Sequence, residues 1–87
     1  MTKKELRKKL AYQLQVKIIA SDELKKSNRI IDFKEHYHEM RGFIQAYEFA
    51  YRQGKGTKWE LLDLLEAYYK NEIDSNKFMT QVKELLA

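Results

Sequence analysis

The sequence predicts an all-α fold, a small helical bundle, on three observations. Proline is absent from the 87 residues and glycine occurs three times, so long uninterrupted helices are permitted and turn-rich β architecture is not. Phe33, Tyr37, Met40, Phe43, Ile44, Tyr47 and Tyr51 recur at the 3.6-residue helical period and fall on one side of a helix. Ile31, Gly42, Ala46 and Phe49 form a second stripe on the opposite side of the same segment. A helix that is apolar on two sides needs cover on two sides, which makes it the spine of an assembly.

The first helix is expected over residues 3–26. Thr2-Lys3-Lys4-Glu5 has the capping-box pattern, in which a hydroxyl and a carboxylate satisfy backbone N–H groups that the first turn leaves free. Leu6, Leu10, Leu14, Ile18, Ala20 and Leu24 cover one half of its surface, with Gln13 and Lys17 intruding. Tyr12, Val16 and Ile19 lie on another part. Leu14 to Ile18 also alternates as a strand would, but a lone strand has no partner elsewhere in the chain. The polar run Lys25 to Arg29 is the expected turn or kink, and it leaves open whether the first two helices are separate or one bent rod.

The second helix is expected over 30–53, ended by Gly54, which suits a left-handed C-cap. Thr57-Lys58-Trp59-Glu60 repeats the capping-box pattern and opens a third helix, expected over 58–72. Its apolar face is Leu61, Leu62, Leu64, Leu65, Tyr68 and Tyr69, with Glu60, Asp63, Glu66 and Lys70 facing water. Asp74 or Ser75 caps a fourth helix over 75–86, whose buried stripe is Phe78, Met79, Val82, Leu85 and Leu86. Two helices of roughly 35 Å and two of roughly 20 Å follow from 1.5 Å of rise per residue. The chain reads as one domain over 1–87, a short hairpin packed along a long one.

Composition excludes several function classes. Without cysteine there are no disulfides, thiolate metal sites or cysteine nucleophiles, which fits a reducing, cytoplasmic setting. The N-terminal segment lacks the apolar run of a secretory signal, and no window is apolar enough to span a membrane. His36 and His38, the two histidines, point about 200° apart on a helix and cannot chelate one ion together. Glu35 and His38 have the Glu-x-x-His spacing of di-metal bundles, but such sites need two of these motifs and further glutamates. Asp32, His36 and Glu39 share a flank that an i, i+4 ion pair explains without a metal. Gly54-Lys55-Gly56-Thr57-Lys58 holds Gly, Lys and Thr as phosphate loops do, yet it lacks the Walker spacing and follows a helix. The sequence therefore predicts no catalytic residue, no metal, no cofactor and no small-molecule substrate: the protein is expected not to be an enzyme.

Two binding surfaces remain. The first is apolar: Tyr12, Val16 and Ile19 on the first helix with Ile31, Gly42, Ala46 and Phe49 on the second. Gly42-x-x-x-Ala46 sets two small residues one turn apart, which admits the close approach of another helix, either the first helix of the same chain or a second subunit. Glycine inside a helix costs about 0.5–1 kcal/mol relative to alanine, so a gain should offset it. The second surface is basic. Residues 1–30 hold nine Lys/Arg against three Asp/Glu, whereas residues 31–87 hold eight against ten. Lys3, Lys4, Arg7, Lys8, Lys9, Lys25, Lys26 and Arg29 are the candidate phosphate contacts, extended by Lys17. The lysines of the first turns encircle the helix, arginine is scarce, and no helix-turn-helix is present.

The favoured expectation is a small protein-interaction module of the inhibitor, regulatory or phage and mobile-element accessory type. It acts on a protein partner through helical faces and self-associates as a homodimer. The alternative is a nucleic-acid-binding or transcription-regulatory protein using the lysine-rich first helix.

Overall fold

The computed structural model describes residues 2–51 and 57–87, with the backbone alone at Tyr51, Thr57 and Lys58. Its helices are α1 (Lys3–Lys26), α2 (Ile30–Tyr51), α3 (Thr57–Tyr69) and α4 (Ser75–Leu85). The expected end of α2 at 53, the Gly54 cap and the Thr57 capping side chain lie outside the described residues.

Each described terminus has a local cause. Thr2 is extended and its Oγ1 accepts the Glu5 N–H at 3.1 Å, which opens α1. Asp74 does the same for α4, its Oδ1 accepting the Lys77 N–H at 2.8 Å. α1 ends in a Schellman motif: Arg29 N–H reaches the Leu24 carbonyl at 2.9 Å and Asn28 N–H reaches Lys25 at 3.1 Å. Asn28 holds the left-handed φ of 58° that this motif demands. The first two helices are thus separate, joined by a tight turn. α3 ends identically, with Asn71 at φ 65°, Glu72 N–H on the Ala67 carbonyl and Asn71 N–H on Tyr68. That motif stops α3 at Tyr69, short of the expected residue 72.

These two asparagines make a direct check. Asn28→Gly relieves the left-handed strain and is expected to stabilise the fold by about 0.5–1 kcal/mol, while Asn28→Ala costs about 1 kcal/mol. Urea midpoints that move the same way for both substitutions would contradict the motif.

The helices form a ring: α1 beside α2, α2 beside α3, α3 beside α4, and α4 closing back on α1. The long axis is 38 Å, set by α1 and α2, and the cross-section is 19 × 17 Å. Leu10, Leu14 and Ile18 of α1 meet Phe33, Met40, Ile44 and Tyr47 of α2, Leu61, Leu65 and Tyr68 of α3, and Phe78, Met79, Val82 and Leu86 in and just after α4. Tyr68 Oη reaches across the ring and donates to Asp22 Oδ1 at 2.6 Å, tying α3 to α1.

The spine expectation needs correcting on two points. α1 and α3 divide the first stripe of α2 between them, and neither reaches the second. On the α1 side Arg7 Nε donates to Tyr47 Oη at 3.3 Å and Lys17 pairs with Glu39. On the α3 side Tyr37 stacks on Tyr69 at 4.2 Å and Phe33 on Tyr69 at 5.4 Å. Among the described residues no atom of another helix lies within 4 Å of the position a Gly42 Cβ would take. The notch is expected to admit either α1 or a second subunit, and α1 does not fill it, because α1 packs on the inward sector of α2 instead. A short hairpin packed along the long one is also expected to lay both short helices on the first stripe, but of the two α3 packs there while α4 sits diagonally across the ring from α2.

Candidate interaction surface

The two helices of the long hairpin present apolar residues outward for the same reason. Each has a complete inward stripe at helical spacing and additional apolar residues roughly half a turn away. On α1, Tyr12 is 69% exposed, Val16 46% and Ile19 60%. On α2, Ile31 is 76% exposed and Phe49 83%, with Gly42 and Ala46 also exposed. Core-sized side chains left this open mark a surface that no described helix covers. All seven candidate interface residues are exposed.

The two patches are joined by the groove between α1 and α2. Phe43 is half-buried and lies beside Tyr12, Gln13, Val16 and Lys17 in a shallow trough of about 190 Å³. A neighbouring hollow of about 250 Å³ carries the apolar lining from Leu6 and Phe43 to Ala46 and Ala50. Across this groove Lys17 and Glu39 form an ion pair, and the Lys17 ammonium holds the Glu39 carboxyl below its ordinary range against a smaller opposing effect of burial. Lys17, an intruder by periodicity, is there to be paired.

Two exposed apolar residues escaped the sequence reading. Trp59, 64% exposed, stands two positions before Leu61 and so faces away from the buried stripe of α3. Ile30 opens α2 beside the Asn28 turn and is exposed as well. The two-residue offset was the available signal for Trp59.

The basic residues do not assemble into one strip. Lys25 lies over the rings of Tyr68 and Phe33, 4.9 and 5.6 Å from their centroids, and closes the end of the aromatic cluster. Arg7 is engaged by Tyr47, Lys26 by Glu23 at 3.8 Å, and Arg29 by Asp32. Lys3, Lys4, Lys8 and Lys9 are exposed and have no ion pair among the described residues, and their helical positions point around the first turns of α1.

The His36 flank also differs from the expected i, i+4 ion pair. Asp32 pairs back to Arg29 and Glu39 pairs across to Lys17, while His36 Nδ1 is buried without a hydrogen-bond partner among the described residues. Among those residues no group of three His, Cys, Asp or Glu side chains is placed to hold a metal ion. A groove of about 600 Å³ between α3 and α4 has an apolar floor of Leu64, Ala67 and Ile73 with Glu60, Asp63 and Glu84 at its rim. Its lining residues include no hydroxyl, thiol or imidazole side chain. Glu66 and Lys70 beside it form an exposed pair at 2.7 Å; the hydrogen bond from Lys70 holds Glu66 low, and the same bond raises Lys70.

No family model, no curated protein and no solved structure matches the chain. No described helix is long and apolar enough to cross a membrane.

Proposed function

We propose that this chain is a non-enzymatic protein-interaction module, working in a reducing cytoplasmic setting as an inhibitor, regulator or accessory protein, and that it self-associates. The observation that carries this reading is the outward face of the α1–α2 hairpin. Tyr12, Val16, Ile19, Ile31 and Phe49 are exposed although the core beneath them is closed by four helices. Gly42 adds to it: its helix-propensity cost of about 0.5–1 kcal/mol is not offset by any close packing among the described residues. Large exposed aromatics beside small residues form the bump-and-notch relief that a helical partner fills.

The experiment compares tagged wild type with Phe49→Asp and Ala46→Glu as baits in a lysate. Both positions are exposed, so both variants keep their helical content by circular dichroism. A protein retained by wild type and lost with both variants is the expected outcome. Retention unchanged in both would sink the α2 face as a binding surface. A duplex or single-stranded nucleic-acid probe that shifts with steep salt dependence, and is lost on reversing Lys3, Lys4 and Lys8, would instead place the function on the basic end of α1.

A further inference from the structure

On the reading that the exposed faces bind protein, the occupant of the α1 face can be named. Glu5, Lys9, Tyr12, Val16, Ile19, Glu23 and Lys26 follow one another at alternating steps of four and three residues and make one seam along the outside of α1. Every one of them is exposed. The seam is apolar in its middle and charged at both ends, in the order negative, positive, apolar, negative, positive.

That order is self-complementary in one orientation only. A parallel two-fold pair sets Glu5 on Glu5, Lys9 on Lys9 and Glu23 on Glu23, like charge on like. An antiparallel pair with its axis beside Val16 brings Lys9 to Glu23 of the second copy, Glu5 to Lys26, and Tyr12 to Ile19, each contact made twice. Register is also constrained. Sliding the helices one layer either way puts Lys9 against Lys26 or Glu5 against Glu23. The intrachain contact between Lys26 and Glu23 is 3.8 Å long with both side chains open to water, so it competes weakly with such pairing.

We infer that the outer face of α1 is a two-fold interface with a second copy of this chain, antiparallel and centred on Val16. One helix face with three apolar residues falls at or below the roughly 1,200 Å² lower end of specific interfaces. The result is a reversible monomer–dimer equilibrium, and the α2 face carrying Gly42, Ala46 and Phe49 stays available to a different protein.

Sedimentation velocity on the full chain at low salt, between roughly 10 µM and 1 mM, tests this. Wild type dimerises with rising concentration. Lys9→Glu and Glu23→Lys each weaken dimerisation by about tenfold, because two-fold symmetry doubles each mismatch, and the double swap restores it to within about threefold. Val16→Asp, which sets two carboxylates together at the axis, leaves a monomer with unchanged far-ultraviolet circular dichroism. Dimerisation that survives the single reversals, or that the double swap does not recover, overturns the antiparallel α1 pairing. If Phe49→Asp then abolishes the dimer, the module self-associates through α2 and the broader reading stands. A wild-type monomer throughout the range overturns the pairing and the self-association, and leaves heterologous binding to the bait comparison.

Discussion

Replacing Phe78 with alanine is expected to lower the unfolding free energy by about 3–5 kcal/mol, a large share of the roughly 5–10 kcal/mol that holds a domain of this size. Phe78 is fully buried where α3 and α4 meet, with its ring 5.8 Å from that of Tyr68 and tilted by 45°. Deleting its ring removes the transfer free energy of a phenyl group and leaves a cavity walled by helices that can close in only partly. The matched control is Phe49→Ala, which deletes the same atoms from a side chain that is 83% exposed and should change stability by no more than about 0.5 kcal/mol. Urea titration followed by circular dichroism reads both. Equal losses would mean that the assignment of inner and outer faces is wrong, and with it the case for an unused surface on α2.

The second large effect appears at alkaline pH. Burial, followed by the hydrogen bond to Asp22 and that residue's negative charge, raises the Tyr68 phenol far above its ordinary value of 10.0. The folded protein therefore keeps a proton that the unfolded chain gives up near pH 10. The resulting stabilisation is fully present below pH 10 and is lost progressively as the pH climbs above it, because unfolding is then coupled to proton release. Tyr68→Phe removes both the titration and the hydrogen bond. At pH 7 it should cost about 1–2 kcal/mol, since Asp22 is only half-buried and can regain water. Urea midpoints of wild type and Tyr68→Phe should stay apart up to about pH 10 and converge as the pH rises above it. Curves that stay parallel would show that Tyr68 ionises as freely in the folded state as in the unfolded one.

How far the fold could be read from the chain depended on whether its cause was local. The start of α1 rests on Thr2 and the start of α4 on Asp74, both within three residues of the N–H they satisfy, and both were legible. The end of α3 was not. Asn71 takes the left-handed conformation usually given to glycine, while Tyr69 and Ile73 continue an apolar spacing that masks the stop. The buried faces of α3 and α4 followed from period alone. Which helix lies over which face of α2 did not, because periodicity shows that a stripe is inward without showing what covers it. Lys17 and Lys25 make the same point. Their partners, Glu39 and the rings of Phe33 and Tyr68, are on other helices, so the sequence shows two lysines near apolar residues and nothing of what binds them. For the candidate surface, the seven residues were legible as a pattern, and their exposure became visible only once the ring of helices was in place.

The order of neighbours around that ring also bears on how the chain reaches its fold. Among the described helices, three of the four extensive packings join elements consecutive in sequence, and α1 against α4 closes a loop across most of the chain. Packing mostly between neighbours in sequence belongs with fast-folding helical domains, in which local hairpins assemble before distant segments meet. During synthesis α1 and α2 emerge before α3 and α4 and can pair while the sides of both helices that α3 and α4 later cover still face water. The nascent hairpin then carries apolar surface on both flanks at once: an inner one awaiting α3 and α4, and an outer one that no described helix covers.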